Sequence, residues 1–117
     1  MLSAPAGARV YLATTPVDMR RGIFGLASLV EQGFGVSPFS GALFVFRGKR
    51  GDAVKILAWD GSGMCLFAKK LEHHRFIWPP IVEGRLLLSA AQLALLLEGI
   101  DWRRTVVPEP AKCPESV

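Results

Sequence analysis

The residues best suited to chemistry in this chain lie in one short turn. Arg47-Gly48-Lys49-Arg50-Gly51-Asp52 places three cations in four positions around two glycines. A tight hairpin of that composition exposes backbone N–H groups and positive charge together. It can rest against phosphates by charge and amide hydrogen bonds without reading bases. The same residues would also serve a plainer purpose, a soluble turn that discourages edge pairing. The charge extends beyond the turn. Arg47, Lys49, Arg50, Lys55, Lys69, Lys70 and Arg75 fall in one stretch with only Asp52, Asp60 and Glu72 against them. Seven minus three is +4, the net charge of the whole chain, and the remainder is balanced at seven against seven. Such an asymmetry points to a polyanionic partner. A solvated sheet face is the alternative.

Other candidate groups have simpler uses. His73-His74 could pair on a metal with Cys65 or Glu72, but neighbouring strand residues point to opposite faces and no second His or Cys cluster follows. No metal or other cofactor is therefore expected. Asp18, Asp52, Asp60, Glu83 and Asp101 would be needed in pairs to hold magnesium for a nuclease. Asp18 instead reads as a helix N-cap, Asp52 and Asp60 bound turns, and Asp101 follows a helix end. Cys65, between Met64 and Leu66, reads as a small buried hydrophobe rather than a nucleophile. No phosphate-binding P-loop, dinucleotide turn or Gly-x-Ser-x-Gly elbow occurs. Trp59, Trp78 and Trp102 are candidate stacking platforms or interface anchors, with core packing the expected fate of Trp59. Phe76-Ile77-Trp78-Pro79-Pro80 is apolar and limited by proline. It reads as an exposed edge, so Phe76 and Trp78 are the partner-binding candidates.

These residues need elements to position them. Arg9 to Ala13 reads as a strand. Asp18 then opens a helix to about Gln32, with Met19, Ile23, Leu26, Ala27, Val30 and Phe34 on its core face. Gly22 and Gly25 each weaken that helix by about 1 kcal/mol relative to alanine, which suggests that another backbone approaches closely there. Leu43 to Arg47, Ala53 to Trp59 and Met64 to Leu71 are strands joined by Gly48–Gly51 and Asp60–Gly63. Loops this short make them antiparallel neighbours, a β-meander. Alternation along them is poor, so both faces look partly buried, one by helices and the other by a partner. Arg85 to Leu88 is the last strand. Ser89-Ala90-Ala91-Gln92 is a capping box opening a second helix whose buried face is Leu93, Leu96, Leu97 and Ile100.

The expected fold class is α+β, an antiparallel meander sheet with two helices packed on it. The chain has 117 residues, half of them apolar, which suits one folded domain of about residues 8–104 and excludes a disordered chain. Prolines 108, 110 and 114 among polar residues predict a disordered tail over 105–117. No apolar run approaches the ~18 residues of a membrane span, and Met1 to Gly7 has neither a charged region nor a long apolar run, so no secretory signal is expected. Two cysteines make no disulfide framework, and a cytoplasmic location is the expectation.

Several segments together resemble a known family. They are Asp18-Met19-Arg20-Arg21-Gly22, Leu43 through Asp52, Trp59 through Glu72, Arg75-Phe76-Ile77-Trp78-Pro79, and Leu93 through Trp102. In this order, over roughly residues 8 to 104, the chain resembles the small accessory protein often called TnpB, from the second open reading frame of bacterial insertion sequences of the sixty-six family. It is unrelated to the RNA-guided nuclease of the same name. His73-His74 departs from the Arg-Gly expected before the Arg-Phe pair. The resemblance implies a non-catalytic role in transposition, beside a separate transposase and a second small accessory protein, and carries no catalytic residues across. Two functions follow from it. The chain binds DNA, at transposon ends or target, through the phosphates facing Arg47, Lys49, Arg50, Lys55, Lys69, Lys70 and Arg75. Alternatively, it docks on the transposase as a protein-interaction subunit without binding DNA. On the first reading, alanine at Arg47, Lys49 and Arg50 together is expected to leave the fold intact.

Overall fold

The computed structural model describes residues 7–104. The disordered tail expected over 105–117 lies outside the described residues.

Among the described residues five strands form one sheet: β1 (Val10–Ala13), β2 (Leu43–Arg47), β3 (Ala53–Trp59), β4 (Met64–Lys70) and β5 (Arg85–Leu88). Two helices accompany them, α1 (Ile23–Gly33) and α2 (Ala90–Leu97), followed by a single 3-10 turn at Trp102–Arg104. The class is α+β. The sheet order is β4-β3-β2-β1-β5. The β2-β3-β4 meander is present, with Val45 opposite Ile56 and Leu57 opposite Leu66. The sheet as a whole is mixed, however, and the purely antiparallel expectation is corrected. β1 runs parallel to β2, with Tyr11 beside Phe44, and antiparallel to β5. Parallel neighbours need a long crossover, and residues 14–42 with α1 supply it.

Side-chain alternation explains the layers. Val10, Leu12, Leu43, Val45, Val54 and Ile56 point to one face, where Leu93, Leu96 and Leu97 of α2 meet them with Phe76 and Trp102. Tyr11, Ala13, Phe44, Phe46 and Leu57 point to the other, where Leu26, Val30 and Phe34 meet them. The helices therefore cover opposite faces. This is why β1 and β2 are almost wholly apolar runs rather than alternating ones. The face that sequence reading left for a partner is filled by the chain's own helix.

The capping box is formed: Ser89 Oγ accepts from the Gln92 N–H at 3.0 Å, and Gln92 Oε1 accepts from the Ser89 N–H at 2.9 Å. At the other end of α2, Gly99 N–H donates to Leu96 O and Ile100 N–H to Leu95 O, a Schellman turn with Gly99 left-handed. That reversal carries Ile100 off the buried face, and it is 51% exposed.

Helix α1 starts later than expected. Asp18 does not cap it. Its carboxylate instead accepts from Arg20 N, Nε and Nη2 at 2.8–3.2 Å, and Arg21 N–H donates to Asp18 O, closing a turn before Gly22 takes the N-cap position. Met19 thus falls outside the helix. Among the described residues no backbone of another segment approaches the Cβ position of Gly22 or is among the nearest atoms to that of Gly25. A Cβ on Gly25 would meet only the Arg21 side chain, at 3.4 Å. The substitution Gly25→Ala is therefore expected to raise stability by about 0.5–1 kcal/mol, read from urea unfolding. A loss of stability would show that packing, not propensity, governs this position.

Candidate nucleic-acid interface

The β2–β3 hairpin tip is built from backbone outward. Gly51 N–H donates to Gly48 O at 3.3 Å, closing the turn that carries Lys49 and Arg50. Gly51 sits at φ +83°, where a side chain would be strained. Its carbonyl accepts from Phe76 N at 3.0 Å and from Trp78 Nε1 at 3.0 Å. On the opposite side Met19 lies against Gly48 so closely that a Cβ there would stand 2.7 Å from Met19 Cγ. Val17 N–H donates to Arg47 O at 2.9 Å, tying the 16–21 segment to the base of the hairpin. The turn's backbone is clamped from both faces of the sheet, which fixes where Lys49 and Arg50 leave it before any ligand arrives.

The seven cations singled out from sequence do not share one surface. Lys49 and Arg50 project from the tip, with exposed Lys70 on the α1 side and exposed Arg75 on the α2 side, its stem against Gly51. None of these four side chains has a hydrogen bond or ion pair among the described residues. The other three are engaged. The Arg47 guanidinium lies 5.2 Å from the centroid of the Trp78 ring, and burial lowers its pKa from the ordinary arginine value. Lys55 Nζ donates to Arg21 O at 2.9 Å on the α1 side. Lys69 Nζ donates to Leu97 O at 2.7 Å on the α2 side, where a cation suits the carbonyl end of the helix. Alanine at Arg47 therefore removes packing as well as charge, and the expectation that the triple alanine variant leaves the fold intact is revised.

Beside the tip, the 16–20 segment, the turn and Lys70 of β4 line an open cleft of about 740 Å³. Pro16, Val17, Met19 and Ala53 supply apolar lining, and Lys49, Arg50 and Lys70 supply cations. Asp18, Arg20 and Asp52 also line it. Arg20 and Asp18 are bound to each other, which holds the Asp18 carboxyl well below the usual carboxylate range. Sequence reading missed the cleft because its two walls are remote along the chain. Arg20 was assigned to a helix that begins only at Ile23.

Phe76 and Trp78 do not form an exposed edge. Phe76 is 3% exposed in the core under α2, and Trp78 is half-buried between Arg47 and Gly51. The large exposed apolar residues are others, led by Phe24 at 89%. Trp59 is half-buried, edge-to-face with Phe39, and Trp102 is buried with its Nε1 donating to Ile77 O. His73 and His74 are exposed. Among the described residues no three His, Cys, Asp or Glu side chains gather as a metal site, and no helix is long and apolar enough to cross a membrane.

A family model described as IS66 Orf2 like protein matches residues 8–106. The chain belongs to this family. It is 44% identical over 117 residues to "Uncharacterized protein y4jC" of Sinorhizobium fredii, covering all of this chain and 99% of that one. It is 46% identical over 103 residues to "Uncharacterized protein y4hO" of the same strain, covering 88% and 90% of the two chains. No solved structure matches.

In this IS66 Orf2 like chain Cys65 is exposed, not buried, because β4 is an edge strand. Its Sγ donates to Asp60 Oδ2 at 3.5 Å, and that carboxylate raises the thiol pKa above its ordinary value. Asp60 in turn is lowered to about 2, chiefly by the N–H groups of Ser62 and Gly63. The sign follows from linkage. A carboxyl more acidic in the folded state contributes stability that is present above the unfolded value of 3.8 and is lost as pH falls to about 2. Asp60→Asn keeps an acceptor for the turn, so it is expected to flatten the stability profile across that window in urea unfolding. It should also speed alkylation of Cys65 in a Cys113→Ser background. An unchanged profile and rate would show that these bonds do not persist in solution.

Proposed function

We propose that this chain is a non-catalytic accessory protein of insertion-sequence transposition that contacts DNA phosphates through the β2–β3 hairpin tip. The supporting observation is the clamped turn carrying Lys49 and Arg50, flanked by Lys70 and Arg75, all without partners among the described residues. Cations carried on a fixed backbone turn and not neutralised by carboxylates suit a phosphate backbone. Neither helix presents a run of Arg, Asn or Gln for the major groove, so binding is dominated by the backbone and weak without the transposase. Gel shifts with transposon-end and target DNA across a salt series, with and without the transposase, test this. The expected result is salt-steep binding of similar strength to both DNAs. Salt-independent binding, or none, would overturn it.

Contact with the transposase, or with the element's second small accessory protein, is a second reading favoured by a separate observation. Phe24 stands on the outer side of α1, and Leu87 on β5 is 59% exposed. Apolar side chains so placed serve as interface anchors. Phe24→Ser should then weaken retention of the transposase without changing DNA binding.

A further inference from the structure

We propose that the cleft beside the hairpin tip receives an unpaired nucleotide of a DNA strand, with its base on the apolar floor and its phosphates on the cationic rim. This rests on the phosphate-binding reading of the same tip and extends it to a preference for DNA that carries an unpaired end or gap.

Concavity is the first observation. A projecting tip alone would meet phosphates along the outside of a duplex. Here an open cleft of about 740 Å³ lies next to it, a volume within the range of small-molecule sites. A stacked, paired base cannot enter a concavity of that kind. It must leave the helix, which costs a few kcal/mol when paired and least when the strand is already single.

The lining is the second observation. Met19, Pro16 and Ala53 offer apolar atoms to a base face, and no Asn or Gln side chain is present to read a base edge. The apolar floor itself carries little sequence preference, and Arg50 and Asp52 on the rim are the groups able to meet a base edge.

Charge is the third. Lys49, Arg50 and Lys70 come from two elements and line the same cleft without partners among the described residues. With Arg20 they give four cations against Asp18 and Asp52, and Asp18 is already bound to Arg20. The excess favours an anionic strand. Val17 and Met19 bind the second wall to the hairpin, so the cleft exists before the ligand.

The test compares two labelled DNA hairpins of one duplex sequence, one blunt and one with a short single-stranded overhang, by fluorescence anisotropy at fixed salt. The wild-type chain is expected to bind the overhang about fivefold more tightly, at the low end of what a seated base contributes because no aromatic ring lines the floor. Ala53→Leu fills the part of the floor assigned to the base without altering charge. It is expected to abolish the overhang advantage while leaving blunt-duplex affinity and salt slope unchanged. Ala53→Val, β-branched and suited to a strand, is the second filling variant should leucine disturb the ladder. Equal wild-type affinity for both DNAs overturns the assignment and leaves phosphate binding standing. An overhang advantage that survives both fillings also overturns it. Binding to neither DNA overturns both readings. A labelled oligo-glutamate bound as tightly as the overhang, and competing with it, would assign the cleft to an acidic protein segment instead.

Discussion

Alanine at Phe76 is expected to lower the unfolding free energy by about 3–5 kcal/mol, enough to abolish much of the stability of a domain this size. The ring is 3% exposed. It packs in the core between sheet and α2 and stands edge-to-face with Trp78 at 5.7 Å between centroids. Its removal leaves a void that surrounding strands can fill only in part. The effect reaches the candidate interface as well, since Phe76 N–H and Trp78 Nε1 both bind the carbonyl of Gly51. Urea unfolding measures the loss, and hydrogen exchange at Gly51 and Asp52 should accelerate with it. Phe76→Leu, which retains most of the volume, is expected to lose far less. A surface anchor would behave differently. Its alanine variant would unfold like the parent within about 0.5 kcal/mol and lose only partner binding. That result would contradict the burial described above.

The Lys49→Ala/Arg50→Ala double variant is expected to weaken binding to all DNA sequences alike and to reduce the salt slope by about two, because each lost phosphate contact releases about one fewer counterion. Its urea midpoint should match the parent, since both side chains are exposed and unpartnered among the described residues. Arg47→Ala provides the contrast. Its guanidinium lies over Trp78, so its loss is expected to cost about 1 kcal/mol of stability and to leave the salt slope unchanged. Gel shifts across a salt series, paired with unfolding curves, separate the two outcomes. A slope identical to the parent in the double variant would reduce the tip to a soluble turn. The exposed Phe24 would then be the surface to pursue. A slope reduced by Arg47→Ala would show that this guanidinium leaves Trp78 to meet DNA.

Much of the local structure was legible in the residues because it depends on neighbours in the chain. The β2-β3-β4 meander follows from apolar runs broken by Gly48–Gly51 and Asp60–Gly63, since loops that short permit only antiparallel pairing. The capping box at Ser89 follows from a serine and a glutamine three positions apart. The family likewise follows from segments in fixed order. Asp18 shows the limit of such reading. An N-cap and an Asx turn begin with the same residue type, and the nearby Arg20 drew the carboxylate into the turn.

What only the tertiary structure decided was which remote segments meet. Whether β1 lies parallel beside β2 depends on the path of residues 14–42, and no local pattern specifies that path. Strand parity divides the cations between faces, but which helix waits on each face is settled by packing. Lys55 consequently reaches the Arg21 carbonyl, and Lys69 reaches the last turn of α2. Phe76 looked like an edge because prolines follow it. It is core because α2 and Trp102 return over it from far along the chain. Composition alone established a basic tip. The cleft beside that tip exists because Met19 packs on Gly48 and the Val17 N–H binds the Arg47 carbonyl, which brings the 16–20 segment against the hairpin.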